Sequence, residues 1–377
     1  MYWKNLAAVL PLALFIAFCI VTLIQLYYYL NFFIRLAFYK QTEKTASITH
    51  PVSVIVCARD EANNLETNLP EVLMQDYPYT HEVIVVNDNS HDDTKYFLEE
   101  LQKAFKQMRS VTLEQEALHI PGKKFPLSVG IKTSKHEVLL LTDADCVPAS
   151  NRWLAIMQDG YREGKEIVLG YGAYTKHKGI LNKLVRFETY HTALQYFSYA
   201  LAGMPYMGVG RNLSYKKDLF FKNKGFSSIN MVAGGDDDLF INKVATATNT
   251  SIVLDKDAFT FSEAPKTFDA WWRQKSRHYS TSRFYKTKHQ LLLGAYALSH
   301  VLFYPLLVAS AILFNWWIVL SVFFVRFLVQ GFVSFKTMKR LNEQDLFPVF
   351  WLLDIWQFLY YIIFSLTLVK KVGKNWK

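Results

Sequence analysis

Cysteine is scarce in this chain, with Cys19, Cys57 and Cys146 the three among 377 residues. Three thiols cannot build a disulfide framework, which excludes a small stapled scaffold and fits a reducing compartment. Internal repeats and low-complexity tracts are also missing, so neither a solenoid nor a compositionally biased tail is expected. His191, His278 and His289 do not stand at zinc-ligand spacing from cysteines or acids, and read as polar or interfacial residues.

Apolar sequence is what the chain has in excess. Hydrophobic residues make up 51% of the composition, more than one core of this size needs, and the surplus lies at the two ends. Leu6 to Leu30 is nearly uncharged, interrupted by Pro11 and Gln25, and long enough to cross a bilayer. It is too long for a signal-peptide core and no small-residue cleavage site follows, so a retained anchor is expected. Three further candidate spans run through Leu291–Phe314, Asn315–Phe335 and Phe347–Val369, with Tyr and Trp at their edges. Arg326 in the second of these, and Asp354 and Gln357 in the third, are costly in hydrocarbon. They are expected either to face other helices or to mark a segment lying in the interface.

The net charge of +10 does not point to nucleic acid, because basic residues gather beside the apolar end: Lys266, Arg273, Lys275, Arg277, Arg283, Lys286 and Lys288. Anionic lipid head groups or a diphosphate are the expected partners. If the polar middle is cytoplasmic, Lys336, Lys339 and Arg340 fall on the same side after two spans. A fourth full crossing would put Lys370, Lys371, Lys374 and Lys377 outside, so one C-terminal segment is expected to be re-entrant or to lie in the membrane surface. The domain layout expected is an anchor over residues 1–40, a cytoplasmic domain over 50–285, and membrane or interfacial helices over 286–377.

The polar middle alternates. "VSVIVCA" (Val52 to Ala58), "HEVIVVND" (His81 to Asp88) and "HEVLLLTD" (His136 to Asp143) are short continuous apolar runs of the kind that fill a parallel sheet covered on both faces. Asp60 to Gln75 and Asp92 to Met108 have the length of intervening helices, and "SVTLEQE" (Ser110 to Glu116) is a weaker strand. This is a doubly wound α/β pattern, in which ligands bind outside the carboxyl ends of the strands. Asp60 and Glu61, then Asp88, then Asp143 and Asp145, all fall at such ends.

Asp143 and Asp145 are two apart in an extended segment, so their carboxylates aim to one side. Most aspartates at strand ends only bond nearby backbone. Two like charges aimed together, however, call for a cation, and oxygen ligands beside open positions suit a hard divalent ion that also meets a phosphate.

These segments together resemble a membrane-bound inverting glycosyltransferase of family 2, with the GT-A fold, over Pro51 to Tyr285. "PVSVIVCARDEANNL" resembles the family's opening strand and nucleotide-contacting turn, and "VIVVNDNSHDDT" its second strand. "GKKFPLSVGI" resembles the G-K-x-x-A-L-N-x-G segment, with Pro126 and Ser128 departing from it. "DAD" matches D-x-D, "MGVGRNLSYKKDLF" resembles the acceptor-side loop, and "GGDDDLFINKVA" the acidic motif with the catalytic base. "QKSRH" resembles Q-x-x-R-W, with His278 in place of the tryptophan.

The resemblance implies a Rossmann-like catalytic domain with a mostly parallel sheet, one N-terminal membrane helix and about three C-terminal ones. It implies a nucleotide-sugar donor, with a UDP-sugar expected, held by Ala58, Asp60, Glu61, Asp88, Lys123, Asp143, Gln274 and Arg277. A Mg or Mn ion on Asp145 and Asp143 and a base at Asp237, with Asp236 its neighbour, complete the chemistry. A one-residue shift of the alignment would exchange those two acids. Gly210, Arg211, Asn212 and His278 would border a lipid or lipid-linked acceptor. A processive polysaccharide synthase and a non-catalytic nucleotide-binding scaffold are the competing readings. The missing tryptophan weighs against the first.

Lys123 or Lys124 alone would read as a solvated surface charge, and the stretch Tyr190 to Tyr206 fits core packing and a membrane-surface role equally well.

Overall fold

The computed structural model describes residues 2–40, 50–115, 120–162 and 164–366. The end of the strand expected to reach Glu116, the end of the last expected span, and the tail lysines therefore lie outside the described residues. The chain divides into two compact units, one from the described parts of Met1–Tyr39 and Lys286–Lys371, the other from those of Lys40–Tyr285.

In the second unit the three apolar runs form strands β1 (Val52–Ala58), β2 (His81–Asp88) and β4 (Val138–Asp143), with β3 (Met108–Leu113) outside β2. All of β1 is buried, as a strand covered on both faces must be. β3, β2, β1 and β4 lie side by side in that order, all parallel. The chain therefore winds outward from β1 to β3 and returns to the other side of β1. That reversal between β1 and β4 opens a crevice at their carboxyl ends, where a doubly wound sheet binds its ligand.

Short strands extend the sheet beyond β4. β6 (Ile167–Leu169), β8 (Leu213–Lys216) and β9 (Thr250–Ile252) complete the order β3-β2-β1-β4-β8-β6-β9, with β8 antiparallel to both neighbours. A separate three-stranded sheet has β10 (Thr260–Ser262) between β5 (Cys146–Pro148) and β7 (Gly172–Tyr174). β5 starts one residue after Asp145, so the acid pair sits where the chain leaves one sheet for the other.

The helix Ala62–Leu73 buries Leu65, Leu69, Val72 and Leu73, an i, i+4, i+7, i+8 stripe against the sheet. Each such side chain contributes about 1.5–3 kcal/mol of hydrophobic stabilisation. The helix starts two residues later than its polarity suggests because Asp60 adopts φ 52°, which ends the strand in a sharp turn. The aromatic stretch is core: in the helix Ile180–Leu201, Tyr190, Tyr196, Phe197 and Tyr199 are buried, and Tyr196 donates to the Gly170 carbonyl at 2.9 Å.

Among the described residues, the first unit contains four helices long and apolar enough to cross a membrane: Val9–Ala37, Thr287–Leu313, Trp316–Arg340 and Gln344–Ser365. The first passes through a π-helical turn at Tyr29–Phe33, and the last opens with a 3₁₀ segment, Gln344–Val349. The polar residues in these apolar stretches meet one another. Arg326 makes a two-pronged pair with Asp354, at 2.6 and 3.2 Å, and its Nε donates to Gln25 Oε1 at 2.8 Å. Tyr304 Oη and Gln330 Nε2 donate to the same carboxylate at 2.6 and 2.5 Å. Of the two expectations for Arg326, Asp354 and Gln357, burial against other helices is the one observed.

Candidate active site

The predicted acids stand at or just beyond the carboxyl ends of β1, β2 and β4. Past Ala58, the Asp60 amide donates to Ser90 Oγ at 2.9 Å, and Asp60 Oδ1 accepts the His91 amide at 2.7 Å. The Glu61 amide donates to Thr94 Oγ1 at 3.1 Å. The turns after β1 and β2 are thereby stitched into one wall, with Asp88 buried at the end of β2.

At the floor, Lys123 gathers the acids from separate segments. Its Nζ lies 2.6 Å from Asp143 Oδ1 and 3.4 Å from Asp236 Oδ2. Burial disfavours the ammonium, yet Asp143, Asp236 and Asp237 outweigh that and hold its pKa well above the ordinary lysine range. Burial likewise opposes the Asp143 carboxylate, but Lys123, then Arg211 and Arg277, keep its pKa below the usual range. Asp145 opens to the crevice. Loss of hydration and then repulsion from Asp143 push it up to about 6. Donor atoms of Asp143, Asp145 and Cys146 lie within 4.8 Å of one another.

The second acidic motif approaches from the other side. Asp237 caps the helix Asp238–Val244, accepting the Asp238 amide at 2.7 Å, while its other oxygen accepts the Gly210 amide at 2.7 Å. A Cβ on Gly210 would stand 3.0 Å from Lys123 Nζ and 3.4 Å from Asp237 Oδ2, so glycine lets these groups close in. Burial, then Asp236 and Asp238, push Asp237 up to about 7 against the pull of Lys123. Asp238 points elsewhere: Thr281 Oγ1 and, at 2.8 Å, Tyr285 Oη donate to it.

The helix Phe268–Ser282 brings Gln274, Arg277 and His278. Gln274 Oε1 accepts from Tyr174 Oη at 3.3 Å. Crowding by protein, then Lys275, Arg277, Arg211 and Lys123, depress the His278 pKa well below the ordinary range. Lys275, expected among the basic residues that meet lipid or diphosphate, is buried and paired with Glu188 instead.

Of the expected acceptor-side residues, Asn212 is not in the crevice. Its side chain is fully buried, accepting from Trp153 Nε1 at 3.1 Å and donating to the Tyr171 and Ala258 carbonyls at 3.1 and 2.8 Å. Lys124 also departs from a surface lysine. It is fully buried, with Nζ donating to the Pro121, Val232 and Gly234 carbonyls, and so ties down the loop before the second acidic motif. Tyr174 went unread in the sequence, where "GAY" resembles no motif and only the pairing of β7 with β10 brings it to the site.

A model of glycosyl transferase family 21 matches residues 14–373. The chain belongs to that family. The match bears out the likeness to a family 2-type glycosyltransferase read from the motifs. Over 94% of this chain and 99% of the other, with a TM-score of 0.57 and 18% identity, the fold is similar to that of the mannosyltransferase PcManGT from Pyrobaculum calidifontis, solved with GDP-Man and Mn2+. This is the GT-A fold. A poly-beta-1,6-N-acetyl-D-glucosamine synthase of Staphylococcus epidermidis is 25% identical over 60% of this chain and 53% of its own length. A beta-monoglucosyldiacylglycerol synthase of Trichormus variabilis is 28% identical over 37% of this chain and 28% of its own. This family 21 chain spans about half the length of the first of these curated relatives and less of the second.

Proposed function

We propose that this family 21 protein is a membrane-bound inverting transferase that moves a sugar from a nucleotide-sugar donor, a UDP-sugar first among candidates, to a lipid or lipid-linked acceptor at the cytoplasmic face. One observation carries the reading: Lys123 touches Asp143 of the D-x-D segment and Asp236 beside the proposed base, so a diphosphate-binding end and a proton-accepting end share one crevice. The solved mannosyltransferase with GDP-Man and the glycolipid synthase relative lend support on the donor and acceptor sides.

The donor set suits a divalent cation. Asp143 and Asp145 offer carboxylate oxygens to one point, whereas the Cys146 thiol is buried and its pKa is raised well above the usual range by burial and then by both acids. Mg or Mn bound there would offset the negative charge that develops on the leaving diphosphate. The chain's own residues do the rest. Ala58, Asp60, Glu61 and Asp88 hold the nucleotide. Asp237 accepts the acceptor hydroxyl's proton as its oxygen attacks the anomeric carbon. The bond to the diphosphate breaks on the opposite face, and Lys123 and Arg277 meet the charge released.

Purified full-length protein with Mg or Mn is expected to release nucleotide from one member of a nucleotide-sugar panel, and Asp237→Asn to abolish this while the protein still folds. Binding without turnover over every lipid extract tried would instead favour a non-catalytic nucleotide-binding scaffold. The polysaccharide synthase relative keeps a processive reading open, and product sizing separates one added sugar from a ladder.

A further inference from the structure

Arg211 is built in more firmly than a residue at the edge of an acceptor pocket requires. Its side chain passes where Gly172 leaves room, since a Cβ there would meet Arg211 Cβ at 2.9 Å and Nε at 3.3 Å. The guanidinium carbon stands 4.3 Å from the centre of the Tyr174 ring. Nη1 donates to the Ala173 carbonyl at 3.2 Å and to Ser262 Oγ at 3.0 Å. The backbone is fixed too, with the Arg211 carbonyl accepting from Thr142 Oγ1 at 3.1 Å and Thr260 Oγ1 at 3.0 Å. Tyr174 is held in turn through its hydroxyl on Gln274.

One nitrogen and one face of the guanidinium are thus occupied, while Nε and Nη2 have no hydrogen-bond partner among the described residues. A half-buried arginine with its plane fixed and an edge left open is pre-organised for a planar or tetrahedral anion. No hydrogen bond or ion pair joins that edge to Asp143 or Asp145 among the described residues. Asp143 is already paired with Lys123, and Asp145 opens to the crevice.

We propose that Arg211 binds phosphate in the active site and that Tyr174 is its positioning residue, holding the guanidinium plane by its ring face. This rests on the transferase reading. The phosphate has two possible sources, the donor's diphosphate or the phosphate of a lipid-phosphate acceptor.

The test uses full-length protein in nanodiscs. Calorimetry with UDP and GDP in the presence of Mg reads the donor side; KM for a polyprenyl phosphate against a neutral diacylglycerol reads the acceptor side. If the source is the donor, Arg211→Gln weakens nucleotide diphosphate binding tenfold or more. If it is the acceptor, that binding holds and KM for the polyprenyl phosphate alone rises tenfold or more. Arg211→Lys recovers only part of either loss. Tyr174→Leu moves the same parameter about threefold, in line with a cation–π contact, and Tyr174→Phe, which keeps the ring but not the hydroxyl bond to Gln274, moves it less. This comparison carries the test if Arg211→Gln does not fold.

Nucleotide and polyprenyl-phosphate parameters both unchanged in Arg211→Gln would overturn the proposal. So would a variant whose only change is tighter Mn binding by electron paramagnetic resonance, which marks Arg211 as a counter-ion of the acids and nothing more. Wild-type protein that binds no nucleotide diphosphate would sink the transferase reading itself, before any substitution is made.

Discussion

Lys123 Nζ and Asp143 Oδ1 are 2.6 Å apart, joining the start of the helix Lys124–Thr133 to the end of β4. Asp143 thereby has a built-in counter-charge, and the like-charge conflict that the D-x-D spacing creates is partly resolved within the chain. Replacing Lys123 by Met leaves Asp143 and Asp236 without it. A loss of about 2 kcal/mol is expected, below the roughly 3–5 kcal/mol of a fully buried broken pair because the two side chains keep 17% and 33% exposure. Chemical denaturation would read it, and nucleotide-sugar turnover should fall at least a hundredfold.

Gly210→Ala tests the close approach of the two acidic motifs. Its Cβ would crowd Lys123 Nζ and Asp237 Oδ2, both ends of movable side chains, so the fold should hold while their geometry shifts. A tenfold or greater fall in kcat with a melting temperature within a few degrees of wild type is expected. An unchanged kcat would remove Gly210 from the site.

The pH profile should report Asp237. With its carboxyl pushed up to about 7, the base is protonated in acid, and activity should climb from pH 6 to pH 8 and then level off. The stability consequence has the opposite sign. A carboxyl whose folded pKa is raised favours the fold while protonated, and that contribution is lost as pH rises through about 7. Asp237→Asn should therefore be inactive, yet gain on the wild type in melting temperature at pH 8 relative to pH 5. A wild-type rate independent of pH across this window would count against Asp237 as base.

In the apolar unit, Asp354→Asn or Arg326→Leu alone should destabilise strongly, by about 3–5 kcal/mol, because each leaves one buried charge unmatched. The double replacement Arg326→Leu with Asp354→Leu should recover much of that. Thermal unfolding in detergent distinguishes the cases, and additive losses would show that the pair is not the coupling element.

How much of this was legible in sequence follows from which forces act locally. β1, β2 and β4 could be read because continuous apolar runs bounded by polar turns have little else to become, and the acids at their ends then mark the crevice. β5, β7, β9 and β10 have three residues each and are strands only because a partner lies alongside. Tyr174 was invisible for the same reason. Asn212, Lys124 and Lys275 stand inside or beside motif residues, and nothing in their local sequence says that they turn inward. Asp236, Asp237 and Asp238 read as equivalent acids until the structure separated them: one on Lys123, one on Gly210, one on Thr281 and Tyr285. Arg326 and Asp354 each look like a flaw in an apolar helix, because their pairing spans 28 residues and cannot be seen from either side alone.

That separation has a consequence for how the protein is made. Synthesis runs from the N-terminus, so the helix with Arg326 is complete before Asp354 has been joined to the chain. During that interval the guanidinium has, among the partners it later keeps, Gln25 on the first helix and the face of the Phe303 ring, 4.3 Å from its carbon, but no carboxylate. The last apolar helix then arrives carrying the one carboxylate that cancels a charge waiting in the bundle. Nascent chains ending just before and just after residue 354, each tethered to a stalled ribosome through a linker long enough to clear the exit tunnel, should differ sharply in how readily the Arg326 helix is extracted from the membrane.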